Sequence, residues 1–159
     1  MSNIVWMRVY ETTPGVFAQP ENGLGMASAV QPNMSLVSQL NPAIAGETIY
    51  LDTTGLGTVN ASPGITGVFG TSTHIPAYPI TATIGGQNAI VTYPKLLPLT
   101  AGLYQIAVTV PAGVTGDVPL VISGPDAVTM QTTIQVAASS ASASANQKPA
   151  VPEAGNPFP

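Results

Sequence analysis

The chain has 159 residues, of which only 6% are charged, with three Lys or Arg against seven Asp or Glu and a formal net charge of −4. An ordinary soluble domain carries about 25% charged residues, so neutral polar side chains and backbone must cover most of this surface. Three cations form no basic surface, which excludes nucleic acid and anionic lipid as expected partners. The length fits one domain with a substantial core.

The chain contains no cysteine and a single histidine. This excludes a thiolate nucleophile, disulfides and the usual zinc ligand sets. No apolar run reaches the roughly 18 residues of a membrane helix, and the N-terminus MSNIVWMRVYE lacks the pattern of a signal peptide. The ion-poor surface nevertheless favours an extracellular or cell-surface location, which predicts that this chain is a fragment or module of a longer protein.

Alternation of apolar and polar residues predicts β-strands from the start of the chain. The first covers residues 3–10, with a turn at Pro14-Gly15. An irregular connection at about 17–34 leads to a strand within residues 47–55, where Ile49 and Leu51 share one face. A second, longer irregular connection covers about 57–79 and is a candidate functional loop.

The second half of the chain is predicted to contain a hairpin and three further strands. Glycine at 85 and 86 supplies the positive φ that a tight hairpin needs. Residues 104–110, 118–123 and 127–136 are predicted to be consecutive antiparallel strands. The first of these places four apolar side chains on its buried face: Tyr104, Ile106, Val108 and Val110.

These elements predict an all-β fold, an immunoglobulin-like antiparallel β-sandwich of about seven to nine strands over residues 1–136. The sequence from Ala137 onward, AASSASASANQKPAVPEAGNPFP, is rich in Ser, Ala and Pro. Such a composition has little to bury, so residues 137–159 are predicted to be a low-complexity tail or linker.

Three segments, NPAIAGETIYLDTTGLGTV, TATIGGQNAIVTY and GLYQIAVTVPAGVTGDVPLVISG, follow one another after PGVFA. From about Thr13 to Val136 the chain resembles a bacterial C-terminal module of secreted, acidobacterial-type proteins, which is similar to the IPT/TIG branch of immunoglobulin-like domains. The resemblance implies an extracellular immunoglobulin-like fold that is usually appended to another domain. It implies no catalytic residues.

One set of residues has the side chains of a hydrolase. Ser72 and His74 lie two positions apart in the long loop, and Asp52 is a carboxylate that would orient the imidazole if the loop folded over the sheet. The sequence lacks the G-x-S-x-G elbow of α/β-hydrolases. A solvated histidine is the alternative interpretation.

Carboxylates at predicted turns form a second set. Glu21, Asp117 and Asp126 are weak candidate Ca²⁺ ligands, to be completed by backbone oxygens. The alternative is that these residues bond to their own turn backbone. Among the aromatic residues, Trp6 is predicted to pack in the core or at an edge, while Phe69 and Tyr78 are candidate contact residues in the long loop.

The leading hypothesis is a non-catalytic extracellular module for adhesion, spacing or substrate attachment, with no cofactor. Its partners would be an extracellular protein, a polysaccharide or other modules of a longer chain. The alternative is a small hydrolase of esters or lactones that uses His74 or a bound Ca²⁺ as Lewis acid. A third hypothesis is a structural subunit whose terminal strand or tail completes the sheet of a neighbour.

Overall fold

The computed structural model describes residues 4–21, 24–60, 73–129 and 132–138. This part of the chain is all-β, with ten strands and no helix. The strands are β1 (Gly15–Val16), β2 (Ala18–Gln19), β3 (Gly25–Ala27), β4 (Ala29–Val30), β5 (Thr48–Thr54), β6 (Thr81–Ile84), β7 (Gln87–Leu96), β8 (Tyr104–Thr109), β9 (Gly116–Ser123) and β10 (Thr132–Val136). The described segments accordingly include no helix able to span a membrane.

The strands form one continuous sheet in the order β1-β5-β8-β7-β6-β9-β10-β3-β2, and β4 pairs with β5 beside β1. The strand pairs are antiparallel except for β10 with β3. Phe17 alone separates β1 from β2 along the chain, and Ser28 alone separates β3 from β4. Because these short strands connect the two ends of the strand order, the sheet is nearly barrel-shaped.

Period-two alternation explains why the long strands form where they do. Ile49 and Leu51 of β5, and Ile106 and Val108 of β8, are completely buried, while Tyr50 between the first two is exposed. The predicted inward face of residues 104–110 is confirmed, since Tyr104, Ile106 and Val108 of β8 and Val110 just after it are all buried. Ala107 on the opposite face is buried as well.

The hairpin predicted at Gly85-Gly86 joins β6 to β7, with Ile84 paired to Gln87. The two glycines have φ values of 60° and 78°, which a residue with a Cβ adopts only with strain. The strand after this turn is longer than an ordinary one. Its first three residues pair with β6, and its later residues pair with β8 across a bulge between Thr92 and Lys95.

Three predictions for the first 34 residues are wrong. Residues 4–10 belong to no strand, and Gly15 starts β1 where a turn was predicted. The connection predicted to be irregular at 17–34 contains β2, β3 and β4. These strands have only two or three residues each, too few to show an alternating pattern in the sequence.

The prediction that residues 104–110 and 118–123 are neighbouring strands is also wrong. β8 pairs with β5 and β7, whereas β9 pairs with β6 and β10. The chain therefore crosses between distant parts of the sheet after β8. β9 and β10 are neighbours as predicted, but β10 begins only at Thr132. Of the predicted tail, Ala137 and Ala138 are described, and residues 139–159 lie outside the described residues.

Candidate functional site

The structure separates the residues of the hydrolase hypothesis. The backbone of His74 pairs with Leu96 at the far side of β7, Leu96 pairs with Tyr104 of β8, and Tyr104 pairs with Thr53 of β5, next to Asp52. At about 4.8 Å per strand, three strand spacings place His74 roughly 14 Å from β5 along the sheet. The structure therefore does not bring the Asp52 carboxylate to the imidazole, and Ser72 lies outside the described residues.

The three candidate Ca²⁺ ligands lie apart from one another. Asp117 is near the start of β9, and Asp126 follows its end. Six residues of extended strand between Asp117 and Ser123 already span about 20 Å. Glu21 follows β2, which lies at the end of the strand order, two strands away from β10. Within the described ranges, no three His, Cys, Asp or Glu side chains are grouped closely enough to hold a metal ion.

Asp126 instead holds the chain just before β1. Its Oδ2 accepts a hydrogen bond from the Glu11 backbone N–H at 2.7 Å. Its Oδ1 accepts one from the Thr12 backbone N–H at 3.1 Å and one from Thr12 Oγ1 at 2.7 Å. The Thr12 hydroxyl bond, together with the backbone bonds, lowers the pKa of Asp126 against an opposing effect of desolvation.

Residues 11–13 form what we call the anchor. Besides the bonds to Asp126, the Thr13 backbone N–H donates to the Gly55 carbonyl at 2.8 Å. Thr12 is 1% exposed. Tyr78, one of the predicted contact residues, lies beside the anchor, where desolvation and the charge of Glu11 raise its pKa. The other predicted contact residue, Phe69, lies outside the described residues.

The residues before the anchor form what we call the arm, residues 4–10. Trp6 is 94% exposed, and Ile4, Val5, Met7 and Val9 are each more than 70% exposed. The Arg8 guanidinium lies 6.0 Å from the centre of the Tyr10 ring, and no backbone hydrogen bond joins the arm to the rest of the described part of the chain. The prediction that Trp6 packs in the core or at an edge is therefore wrong.

A shallow cavity of about 500 Å³ lies beside Phe17, the residue between β1 and β2. We call it the groove, and it is lined by Phe17, Ala18, Gln19, Glu21, Ser28 and Asp52. Two carboxylates line the groove: Glu21, predicted as a Ca²⁺ ligand, and Asp52, predicted to orient His74. The half-exposed Phe17 lines it as well. The Asp52 carboxylate also accepts a long hydrogen bond from Gln105 Nε2 at 3.3 Å.

Reasoning from the sequence missed both the groove and the exposure of the arm. No local pattern places Glu21 and Asp52 at one surface, because Glu21 follows β2 and Asp52 lies in β5, and only the long-range folding of the sheet brings both to the groove. For the arm, the signal is the high content of Trp, Ile and Val in residues 4–10, but the same composition is typical of a paired strand.

Comparisons of this chain with protein-family models, with curated proteins and with solved structures found no match.

Proposed function

We propose that this chain is a non-catalytic extracellular module of immunoglobulin-like fold that attaches to a β-sheet neighbour through its arm. The sandwich arrangement is supported by β7, whose first residues pair with β6 and whose later residues pair with β8. It is also supported by the one-residue breaks between β1 and β2 and between β3 and β4, where a strand passes from one face to the other.

The observation that carries the proposed function is the exposure of the arm. Soluble proteins rarely leave a continuous apolar segment in water unless it is a contact site. The arm offers six large apolar or aromatic side chains in seven residues, with a single charge. Burying them against a partner removes that surface from water at about 25 cal/mol per Å².

The chemistry of the arm favours a protein partner that supplies a strand. No hydrogen bond inside the described part of the chain uses the backbone of residues 4–10, so their N–H and C=O groups are available to a sheet edge. Seven extended residues span about 23 Å, the length of an ordinary strand. A polysaccharide site, in contrast, needs aromatic rings held in a fixed platform, and Trp6 is not packed against the sheet.

Two measurements test this proposal. Purified protein is assayed against short-chain esters and acyl lactones, with wild type, His74→Ala and an EDTA-treated sample side by side. We expect no turnover above buffer in any sample. Turnover that His74→Ala or EDTA abolishes would overturn the non-catalytic assignment.

The second measurement uses Trp6, the single tryptophan of the chain. Its emission and its quenching by acrylamide are followed as the protein is concentrated, and in dilute protein with suspended cellulose or chitin. In dilute protein we expect the emission and strong quenching of a solvated tryptophan, unchanged by either polysaccharide. A blue shift and reduced quenching on concentration are expected where the neighbour is a second copy. A shift only with polysaccharide would contradict the protein partner and make the arm a carbohydrate-binding element.

A further inference from the structure

We propose that the groove of one molecule receives the arm of a second copy of the same chain, whose residues 4–10 add along the β1–β2 edge. This inference rests on the proposed function, for which it names the partner and the receiving surface. Three observations support it: the arm does not occupy the groove of its own chain, the receiving edge lacks a strand neighbour among the described residues, and the charges of the two surfaces are complementary.

The arm does not occupy the groove of its own chain, since Trp6 is 94% exposed and Ile4, Val5, Met7 and Val9 are each more than 70% exposed. The backbone N–H groups of Glu11, Thr12 and Thr13 all donate hydrogen bonds to groups of the sheet end, and the chain continues from them into β1. Because the side chains of the arm are exposed, the groove is not filled by the arm of its own chain and is open to the arm of another molecule.

The groove lies beside the two terminal strands of the sheet. In the strand order, β1 pairs only with β5 and β2 only with β3, so each has one edge without a strand among the described residues. Such edges are templates for an added strand. The Phe17 ring between them is 49% exposed and offers an apolar contact for the side chains of the arm.

The charges of the arm and the groove are opposite. Arg8 is one of only three cations in the chain, and it stands in the middle of an otherwise apolar segment. The carboxylates of Glu21 and Asp52 both line the groove, whose volume is about 500 Å³. A guanidinium forms bidentate hydrogen bonds with a carboxylate. Two copies with a net charge of −4 each repel one another, and a contact between Arg8 and the groove carboxylates offsets that repulsion.

The test compares the self-association of single variants by sedimentation velocity, from low micromolar to millimolar protein. Trp6→Ser and Arg8→Glu change the arm, and Glu21→Lys changes the groove. Asp117→Lys is the matched control, since it makes the same change of charge at an exposed residue of β9 that does not line the groove. All four residues are solvent-exposed, and circular dichroism verifies that each variant is folded.

We expect Trp6→Ser to weaken association about 30-fold or more, as for a central aromatic contact. Arg8→Glu and Glu21→Lys should each weaken it about tenfold or more, the effect of placing like charges together at an interface. Asp117→Lys should associate as wild type does. A mixture of Arg8→Glu with Glu21→Lys should recover association, because it combines an intact groove from the first with an intact arm from the second.

The other outcomes overturn different parts of the reasoning. Association that is weakened by the arm variants but not by Glu21→Lys would overturn the groove as receiver and leave the arm as the attachment element. If Trp6→Ser and Arg8→Glu leave association unchanged, both the role of the groove as receiver and the role of the arm as attachment element are overturned. If wild type stays monomeric and Trp6 stays exposed at millimolar concentration, the second copy is not the partner, and the proposed attachment then depends on another protein.

Discussion

Replacing Ile106 by alanine tests whether the alternation in β8 was correctly assigned to the core. The Ile106 side chain is completely buried, and its backbone pairs with Leu51 of β5. β8 lies between β5 and β7. Strands on both sides restrict the collapse of the surrounding side chains into the space that the substitution leaves.

The magnitude follows from the atoms removed. Ile→Ala deletes three carbons, each worth about 0.8 kcal/mol of transfer free energy when buried, or roughly 2.4 kcal/mol together. The cavity adds a further penalty that depends on how far the surroundings relax, and measured Ile→Ala substitutions in cores cost about 2–5 kcal/mol. We expect Ile106→Ala to lower the free energy of unfolding by about 3–4 kcal/mol, since little relaxation is available at this central strand.

The matched control is Thr109→Ala on the same strand. Thr109 is only partly buried, and its Oγ1 lies 3.2 Å from Thr48 Oγ1, within hydrogen-bond distance. Loss of one such partly exposed hydrogen bond costs about 0.5–1.5 kcal/mol. Urea titration followed by circular dichroism measures both variants. If the two free energies of unfolding fell by similar small amounts, the assignment of inward and outward faces in β8 would be refuted.

Three further changes have defined outcomes. Asp126→Asn should lower the melting temperature at neutral pH and have no effect in acid. The pKa of Asp126 is lowered in the folded state, first by its Thr12 hydroxyl bond, so the stability it contributes is present above its unfolded pKa and is lost as the pH falls through the folded pKa. Gly46→Ala should cost about 1–2 kcal/mol for a left-handed backbone. Gly55→Ala should cost clearly more in a denaturant titration, because its Cβ would clash with the Thr13 backbone carbonyl. Removal of residues 139–159 should leave the melting temperature unchanged, since their composition offers little to bury.

Strands that are long and half-buried could be predicted from the sequence. In β5 and β8 the apolar residues alternate over six or seven positions, and burial of that face outweighs other preferences. The hairpin between β6 and β7 could be predicted for a separate reason, since two adjacent glycines after an alternating segment permit a tight turn. Strand partners were harder to predict. The segment after β8 has the turn residues of a hairpin, yet it crosses to another part of the sheet, and local sequence does not distinguish the two cases.

Local sequence also does not show which distant groups a side chain of a candidate site contacts. Sequence identifies Asp126 as a turn carboxylate that bonds either a cation or nearby backbone. In the structure it bonds the backbone of Glu11 and Thr12, more than 110 positions earlier in the chain. Asp52 and Glu21 were assigned to separate hypotheses because 30 residues separate them. Only the long-range folding of the sheet brings both to the groove, and such folding leaves no local signal.

The arm shows why β-propensity alone cannot assign a strand. Residues 4–10 have the composition of an edge strand, but a strand needs a neighbour, and in this molecule the arm pairs with no strand of the described part of the sheet. The same arrangement leaves β1 and β2 with an unpaired edge each among the described residues. An exposed apolar segment and an unpaired edge are both liabilities in water. Because one added strand would cover both at once, a contact that satisfies the arm and the β1–β2 edge together is favoured over two separate contacts.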